Sequence, residues 1–267
     1  MIYCFKMTRR RIKMLSKAKI EQELNNLGIT PPKIIFYNET DSTNTKAKKY
    51  AKENPNSNSP VVFIANSQTK GRGRRGRSFV SKKGAGIYIS ILTYPKEQGA
   101  DVTAQTARAA VILSRAIEAL CDCDIKIKWV NDLYLQGKKI AGILTEGEIN
   151  ENGKIAYQIV GMGINVYKSA ISDEIATIAT SLECELKCAP DRSKLAARII
   201  KEFLTEDKDY YTEYKARSFI IGKNVTVLKL SESYDAKVID INNDFSLKIE
   251  TPRGEENLFT GEVSLKV

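Results

Sequence analysis

Apolar positions along this chain follow two periods, and the switches between them mark out the elements. Residues 15–27 put Leu15, Ile20, Leu24 and Leu27 near one helical face, and Gly28 stands where that helix would stop. Pro31-Pro32 break the chain before an apolar strand from Ile34 to Tyr37. Asp41-Ser42-Thr43-Asn44 supply N-cap side chains to a helical stretch through Glu53, and Val61 to Ala65 reads as a buried strand. Residues 67–84, rich in glycine and arginine, are expected to form a loop before a strand through Ile87, Ile89 and Ile91 that ends ahead of Pro95.

The helical period returns over 103–120, where Leu113, Ile117 and Leu120 share a face. Residues 125–130 alternate as a strand, and 139–149 and 155–166 form two more, joined by a hairpin at Glu151-Asn152-Gly153. One long amphipathic helix is expected over 193–217 through Leu195, Ile199 and Phe203. From Gly222 the texture changes to short strands separated by Ser-, Asn- and Pro-containing joints, the pattern of a small β-barrel. The chain therefore divides into an N-terminal segment (1–33) with one helix, a mixed α+β domain (34–219) and a barrel (220–267).

Composition adds two facts. There is no histidine in the 267 residues, which excludes a Ser-His-Asp triad, a Cys-His dyad and any His-ligated metal. Forty-two Lys+Arg against 32 Asp+Glu leave a net charge of +10, and the excess sits in two blocks. One holds Lys6, Arg9, Arg10, Arg11, Lys13, Lys17 and Lys19; the other holds Lys70, Arg72, Arg74, Arg75, Arg77, Lys82 and Lys83, and neither contains an acid. The first reads as a solvated N-terminal tail or helix face, with nonspecific attraction to nucleic acid as the alternative. No apolar run approaches the roughly 20 residues of a membrane span, and the N-terminal basic cluster follows rather than precedes the apolar residues, so the chain reads as cytoplasmic. Five cysteines without C-x-x-C spacing read as reduced thiols.

The second block is interrupted by glycines: Gly71-Arg72-Gly73-Arg74-Arg75-Gly76-Arg77. Glycines allow close backbone approach, and arginine forks suit phosphate or carboxylate. Alone, the run fits a solvated loop or a nucleic-acid contact equally well. It is neither a P-loop nor a strand–GxGxxG–helix unit. Three further groups bear on it. Ser42-Thr43-Asn44 gathers small polar side chains at a strand-to-helix junction, where they either cap the helix or hold a neutral polar group. Lys128-Trp129-Val130-Asn131-Asp132 stands at a strand end, followed by Lys138-Lys139-Ile140-Ala141-Gly142. Gly161 and Gly163 interrupt an apolar strand, which marks a bulge or a close ligand contact.

Together these segments resemble the biotin protein ligases. The resemblance runs in order through Ser42-Thr43-Asn44, Gln68-Thr69 with the run ending at Arg77, Lys128-Trp129 with Asn131-Asp132-Leu133, Lys139 with Ala141 to Leu144, Gly163-Ile164-Asn165 and the terminal barrel, covering about residues 36–267. Lipoate ligases share the fold but lack the arginine–glycine run. The resemblance implies a class II synthetase-like domain with a mixed, largely antiparallel sheet and an SH3-like barrel. It implies ATP-dependent activation of biotin to biotinyl-5′-AMP, then transfer to one lysine of a biotin carboxyl carrier protein or carboxylase biotin domain.

By the same resemblance, Ser42, Thr43, Asn44 and Gln68 face biotin's ureido ring, with Gly71, Arg72, Gly73 and Gly142 also lining its site. Arg72 and Arg74 meet the carboxylate and adenylate phosphate, and Arg75 and Arg77 the pyrophosphate or Mg²⁺-bound ATP. Asn131 and Asn165 hold the nucleotide side, and Phe79 shields the loop where relatives often carry tryptophan. Lys139, Arg74 and Asp132 are the catalytic candidates, Asp132 orienting the acceptor amine. The resemblance implies a Mg²⁺ ion accompanying ATP, although no carboxylate cluster reads as a dedicated metal cage. Some members carry an N-terminal helix-turn-helix and repress transcription; that module needs three helices, and the residues before Ser42 offer one, so neither repression nor DNA contact is expected. A homodimer is compatible with the resemblance. An RNA-binding protein is the alternative of another class; it needs aromatics beside the arginines, and the loop offers only Phe79.

Overall fold

The computed structural model describes residues 14–265 apart from residues 56, 95–100, 153, 188, 206–208, 230–231 and 260–261. Most of the first basic block, Lys6 to Lys13, lies outside the described residues, as do Cys4, Cys188 and Gly153 of the expected hairpin. Helix α1 (Lys17–Asn26) starts at Ser16, whose hydroxyl accepts from Lys19 N, and buries Ile20 and Leu24. Gly28 follows at φ +74°, the left-handed stop the sequence implies.

Seven strands form one sheet: β1 (Lys33–Tyr37), β2 (Val61–Ala65), β3 (Gly86–Thr93), β4 (Lys126–Lys128), β5 (Asp132–Leu135), β6 (Lys138–Ile149) and β7 (Ile155–Asn165). Their spatial order is β1-β2-β3-β7-β6-β5-β4, with β1 and β2 parallel and every other pair antiparallel. Helices α2 (Thr43–Glu53), α3 (Val102–Glu118), α4 (Leu182–Leu186), α5 (Arg192–Leu204) and α6 (Tyr210–Arg217) complete this part.

Side chains alternate across a strand, and this divides the sheet's faces. Val62, Ile64, Ile87, Ile89, Ile91, Val160 and Ile143 join α1, α3 and α5 in the main core. The other face packs Phe63, Leu92 and Ile159 against Ala47 and Ala51 of α2. The register sets Ser90 opposite both Phe63 and Gly161, and Leu144 opposite Gly161, so small and polar positions collect on the α2 face.

Two expectations change. The strand expected over 125–130 stops at Lys128; the chain turns through Trp129-Val130-Asn131, and Lys128 pairs with Asp132 of β5, an element the sequence did not signal. The helix expected over 193–217 is two. Thr205 leaves α5 in extended conformation, and Asp209 starts α6 by accepting from Thr212 N. A capping carboxylate begins a new helix where period alone would continue the old one.

The C-terminal strands β8 (Asn224–Leu228), β9 (Ser233–Ile241), β10 (Leu247–Thr251), β11 (Gly254–Leu258) and β12 (Glu262–Leu265) form an antiparallel sheet ordered β11-β10-β9-β8-β12; β12 was not anticipated. Their seam with the larger sheet is aromatic. Trp129 Nε1 donates to Phe245 O at 2.8 Å, and the Phe245 ring meets Tyr214 edge-on at 5.5 Å. On the opposite side of the core, Arg192 is only 2% exposed. Its guanidinium donates to Asn66 Oδ1 at 3.2 Å and Gly86 O at 3.1 Å, joining α5 to the ends of β2 and β3.

Candidate functional site

The α2 face of the sheet opens into a cleft of about 920 Å³, counted to its open mouth. Its walls come from α2, the 67–84 loop, the Trp129 turn, β5, β6 and β7, and Val263 of β12 closes one side.

The first wall is a closed hydrogen-bond network. Ser42 begins α2 without capping it through its side chain; Gln68 Oε1 takes the helix's Thr43 N–H at 2.8 Å and the Thr43 hydroxyl at 3.1 Å. Gln68 Nε2 donates to Ser81 at 2.8 Å. The Ser90 hydroxyl lies 2.7 Å from Thr43 Oγ1 and 2.6 Å from Asn44 Oδ1, and Asn44 Nδ2 donates to Glu146 Oε2 at 2.8 Å. Ser42, Thr43 and Asn44 are all buried, which fixes their polar atoms in direction. Just before them, burial raises the Asp41 carboxyl, but the Ser42 N–H, the Thr40 hydroxyl and Lys46 outweigh it and hold it below the ordinary carboxylate range.

Gly161 is part of that wall: a Cβ there would stand 2.1 Å from Asn44 Oδ1. The Phe79 ring lies on Gly163, where a Cβ would come within 2.6 Å of Cε1. Neither glycine makes a bulge, since β7 keeps its register on both sides. The close approach at both glycines is made by side chains of this chain, Asn44 and Phe79, rather than by the ligand contact that the sequence implies.

The second wall is cationic. The 67–84 segment folds back on itself, with Gly73 N donating to Arg77 O at 2.7 Å and Phe79 N to Gly71 O at 2.9 Å. Gly71 lines this hairpin rather than the cleft; a Cβ there would meet Phe79 O at 2.2 Å. The arginines diverge from it. Arg72 forms a two-pronged pair with Glu146 at 2.9 and 3.1 Å, Arg74 donates to Asn131 Oδ1 at 3.1 Å, and Arg75, at φ +54°, reaches Leu228 O of β8 at 2.6 Å.

Lys139 and Asp132 meet at 2.6 Å on neighbouring strands, both half-buried. Gly142 makes room for this pair: a Cβ there would lie 3.3 Å from Lys139 Nζ. Asn131 holds its place by donating to Ile143 O at 3.0 Å. Beneath the turn, the fully buried Tyr214 hydroxyl donates to Val130 O at 3.2 Å, and burial holds its phenol far above the ordinary tyrosine range.

The cleft thus gathers Ser42, Thr43, Asn44, Gln68, Arg72, Gly73, Arg74, Arg75, Arg77, Phe79, Asn131, Asp132, Lys139 and Gly142. Gly71 and Asn165 stand outside it; Asn165 is buried with its amide on Thr180 O. Sequence reasoning missed Ser90, Glu146, Met162 and Val263. Alternation along β3 and β6, with Asn44 as neighbour, could have raised the first two; no local signal marks Val263.

The cleft brings a buried polar wall that includes Thr43 and Asn44 together with a group of cations that includes Arg72, Arg74 and Lys139, on a mixed sheet followed by a small antiparallel one. The profile of the biotin/lipoate A/B protein ligase family matches residues 36–165. The bifunctional ligase/repressor BirA of Bacillus spizizenii is 31% identical over 233 residues, spanning 83% of this chain and 71% of its own. The biotin–[acetyl-CoA-carboxylase] ligase of Mycobacterium tuberculosis is 29% identical, over 62% and 64% of the two chains. A biotin protein ligase from Aquifex aeolicus, solved with biotin and ATP, superposes with a TM-score of 0.71 at 29% identity, over 88% of this chain and 98% of that one. This chain belongs to the biotin protein ligases.

Proposed function

We propose that this protein attaches biotin to a lysine of a biotin carboxyl carrier domain in two steps. A biotin carboxylate oxygen attacks the α-phosphorus of ATP; the new P–O bond forms as the bond to pyrophosphate breaks. The acceptor lysine nitrogen then attacks the acyl carbon, the C–N bond forms, AMP leaves and the amine gives up a proton. The observation that carries this reading is the convergence of Ser42, Thr43, Asn44, Arg72, Arg74, Asp132 and Lys139 on one cleft.

Ser42, Thr43, Asn44 and Gln68 recognise the ureido head, and the fixed dipoles of the buried Ser42, Thr43 and Asn44 disfavour acids without matching groups. Arg72, Arg74 and Lys139 gather the biotin carboxylate and the α-phosphate, which repel each other in water, and stabilise charge growing between them. Arg75 and Arg77 meet the departing pyrophosphate, and Mg²⁺ enters with ATP. Asp132, beside Lys139 at the turn, orients the incoming amine and receives its proton. The acceptor is a carrier domain, and DNA contact is not part of this reading.

The direct test is ATP–pyrophosphate exchange with biotin or lipoate as the only acid. Exchange is expected with biotin alone; exchange driven by lipoate and not biotin would replace this reading. A second expectation concerns the head-group wall. Gly161→Ala puts a methyl against Asn44 Oδ1, and should raise the KM for biotin by about tenfold or more while the KM for ATP changes little. Equal effects on both would show that the wall does not serve biotin.

A further inference from the structure

Glu146 stands between the two walls of the cleft. Its position on β6 puts it on the α2 face beyond Gly142 and Leu144. Oε2 accepts from Asn44 Nδ2 at 2.8 Å and from Arg72 at 3.1 Å, while Oε1 faces the other prong of the same guanidinium at 2.9 Å. The Glu146 side chain is 26% exposed and that of Arg72 46%. This carboxylate meets Arg72 in the two-pronged geometry that a substrate carboxylate or an adenylate phosphate would use.

We propose that Glu146 is a positioning residue for the ligation reaction, acting through Arg72 as an internal competitor for the substrate's negative charge. The inference rests on the reading that Arg72 meets the carboxylate and phosphate. An anion approaching Arg72 either displaces Glu146 or shares one guanidinium with a second negative charge, and both outcomes subtract from its affinity. Glu146 therefore keeps Arg72 aimed over the cleft while weakening ground-state binding of the acid. Asn44 shares the same carboxylate, so contact at the head-group wall can alter the grip on Arg72.

Glu146→Gln removes the charge and keeps an oxygen for Asn44. Biotin binding without ATP, measured by calorimetry on the full chain, should tighten by about two- to fivefold. In an Arg72→Ala background the same change should give no tightening, because the charge acts through Arg72. A merely structural Glu146 would weaken binding and lower the melting temperature in both backgrounds. Unchanged or weaker binding in Glu146→Gln overturns the inference, as does equal tightening in both backgrounds. If Arg72→Ala alone leaves biotin binding and exchange intact, the reading of Arg72 itself fails, and that result is distinct from the others.

Discussion

Lys139→Ala is expected to lower biotin-dependent ATP–pyrophosphate exchange by about 10²–10³-fold at saturating substrates, the usual cost of removing one preorganised charge from a transition state. The argument is positional. Lys139 lines the same cleft as the arginine-bearing loop, and its ammonium lies 2.6 Å from Asp132. Arg74→Ala should act on the same half-reaction. Asp132→Ala should differ: adenylate formation keeps most of its rate, while transfer to the carrier lysine falls further. Single-turnover measurement of each half-reaction separates these cases. Wild-type adenylation by Lys139→Ala would remove that residue from the chemistry.

The second large effect is on stability. Arg192 is buried at the start of α5 and donates to Asn66 Oδ1 and Gly86 O, with its guanidinium 5.6 Å from the centre of the Tyr167 ring. Arg192→Ala leaves two buried acceptors without their donor and opens space for a large side chain, a loss of about 3 kcal/mol. For a chain of this size that corresponds to a fall in Tm of about 6–12 °C. Arg192→Lys should recover part of it, since a single nitrogen, Nη1, serves both acceptors and an ammonium keeps that capacity, though it is more strongly hydrated and lacks the planar group that lies near Tyr167. Calorimetric melts check both; a Tm within a degree of wild type for Arg192→Ala would show that this end of the sheet is held by packing alone.

Most elements were legible because their apolar periods are clean. Ile87, Ile89 and Ile91 do bury one face of a strand, and Leu195, Ile199 and Phe203 do line a helix. The losses have specific causes. β5 is only four residues long and follows directly on a turn, too short for alternation to register. The break between α5 and α6 is set by Asp209, one cap inside an otherwise continuous helical pattern. At the site, the run of arginines was visible but its divergence was not. Arg72, Arg74 and Arg75 find partners on β6, the Trp129 turn and β8, each more than 50 residues away in sequence. Glu146 was hidden for the same reason, being one of two acids on β6 until Asn44 and Arg72 meet it.

The seam at Trp129 also has an optical consequence. Trp129 is the only tryptophan in the chain, is 3% exposed, and gives its indole N–H to Phe245 of the C-terminal sheet. Tryptophan emission from this protein is therefore a single-site signal, reporting from the junction of the two sheets beside Asn131 and Asp132. A red shift that precedes loss of helical ellipticity would record the small sheet parting from the large one before the rest unfolds.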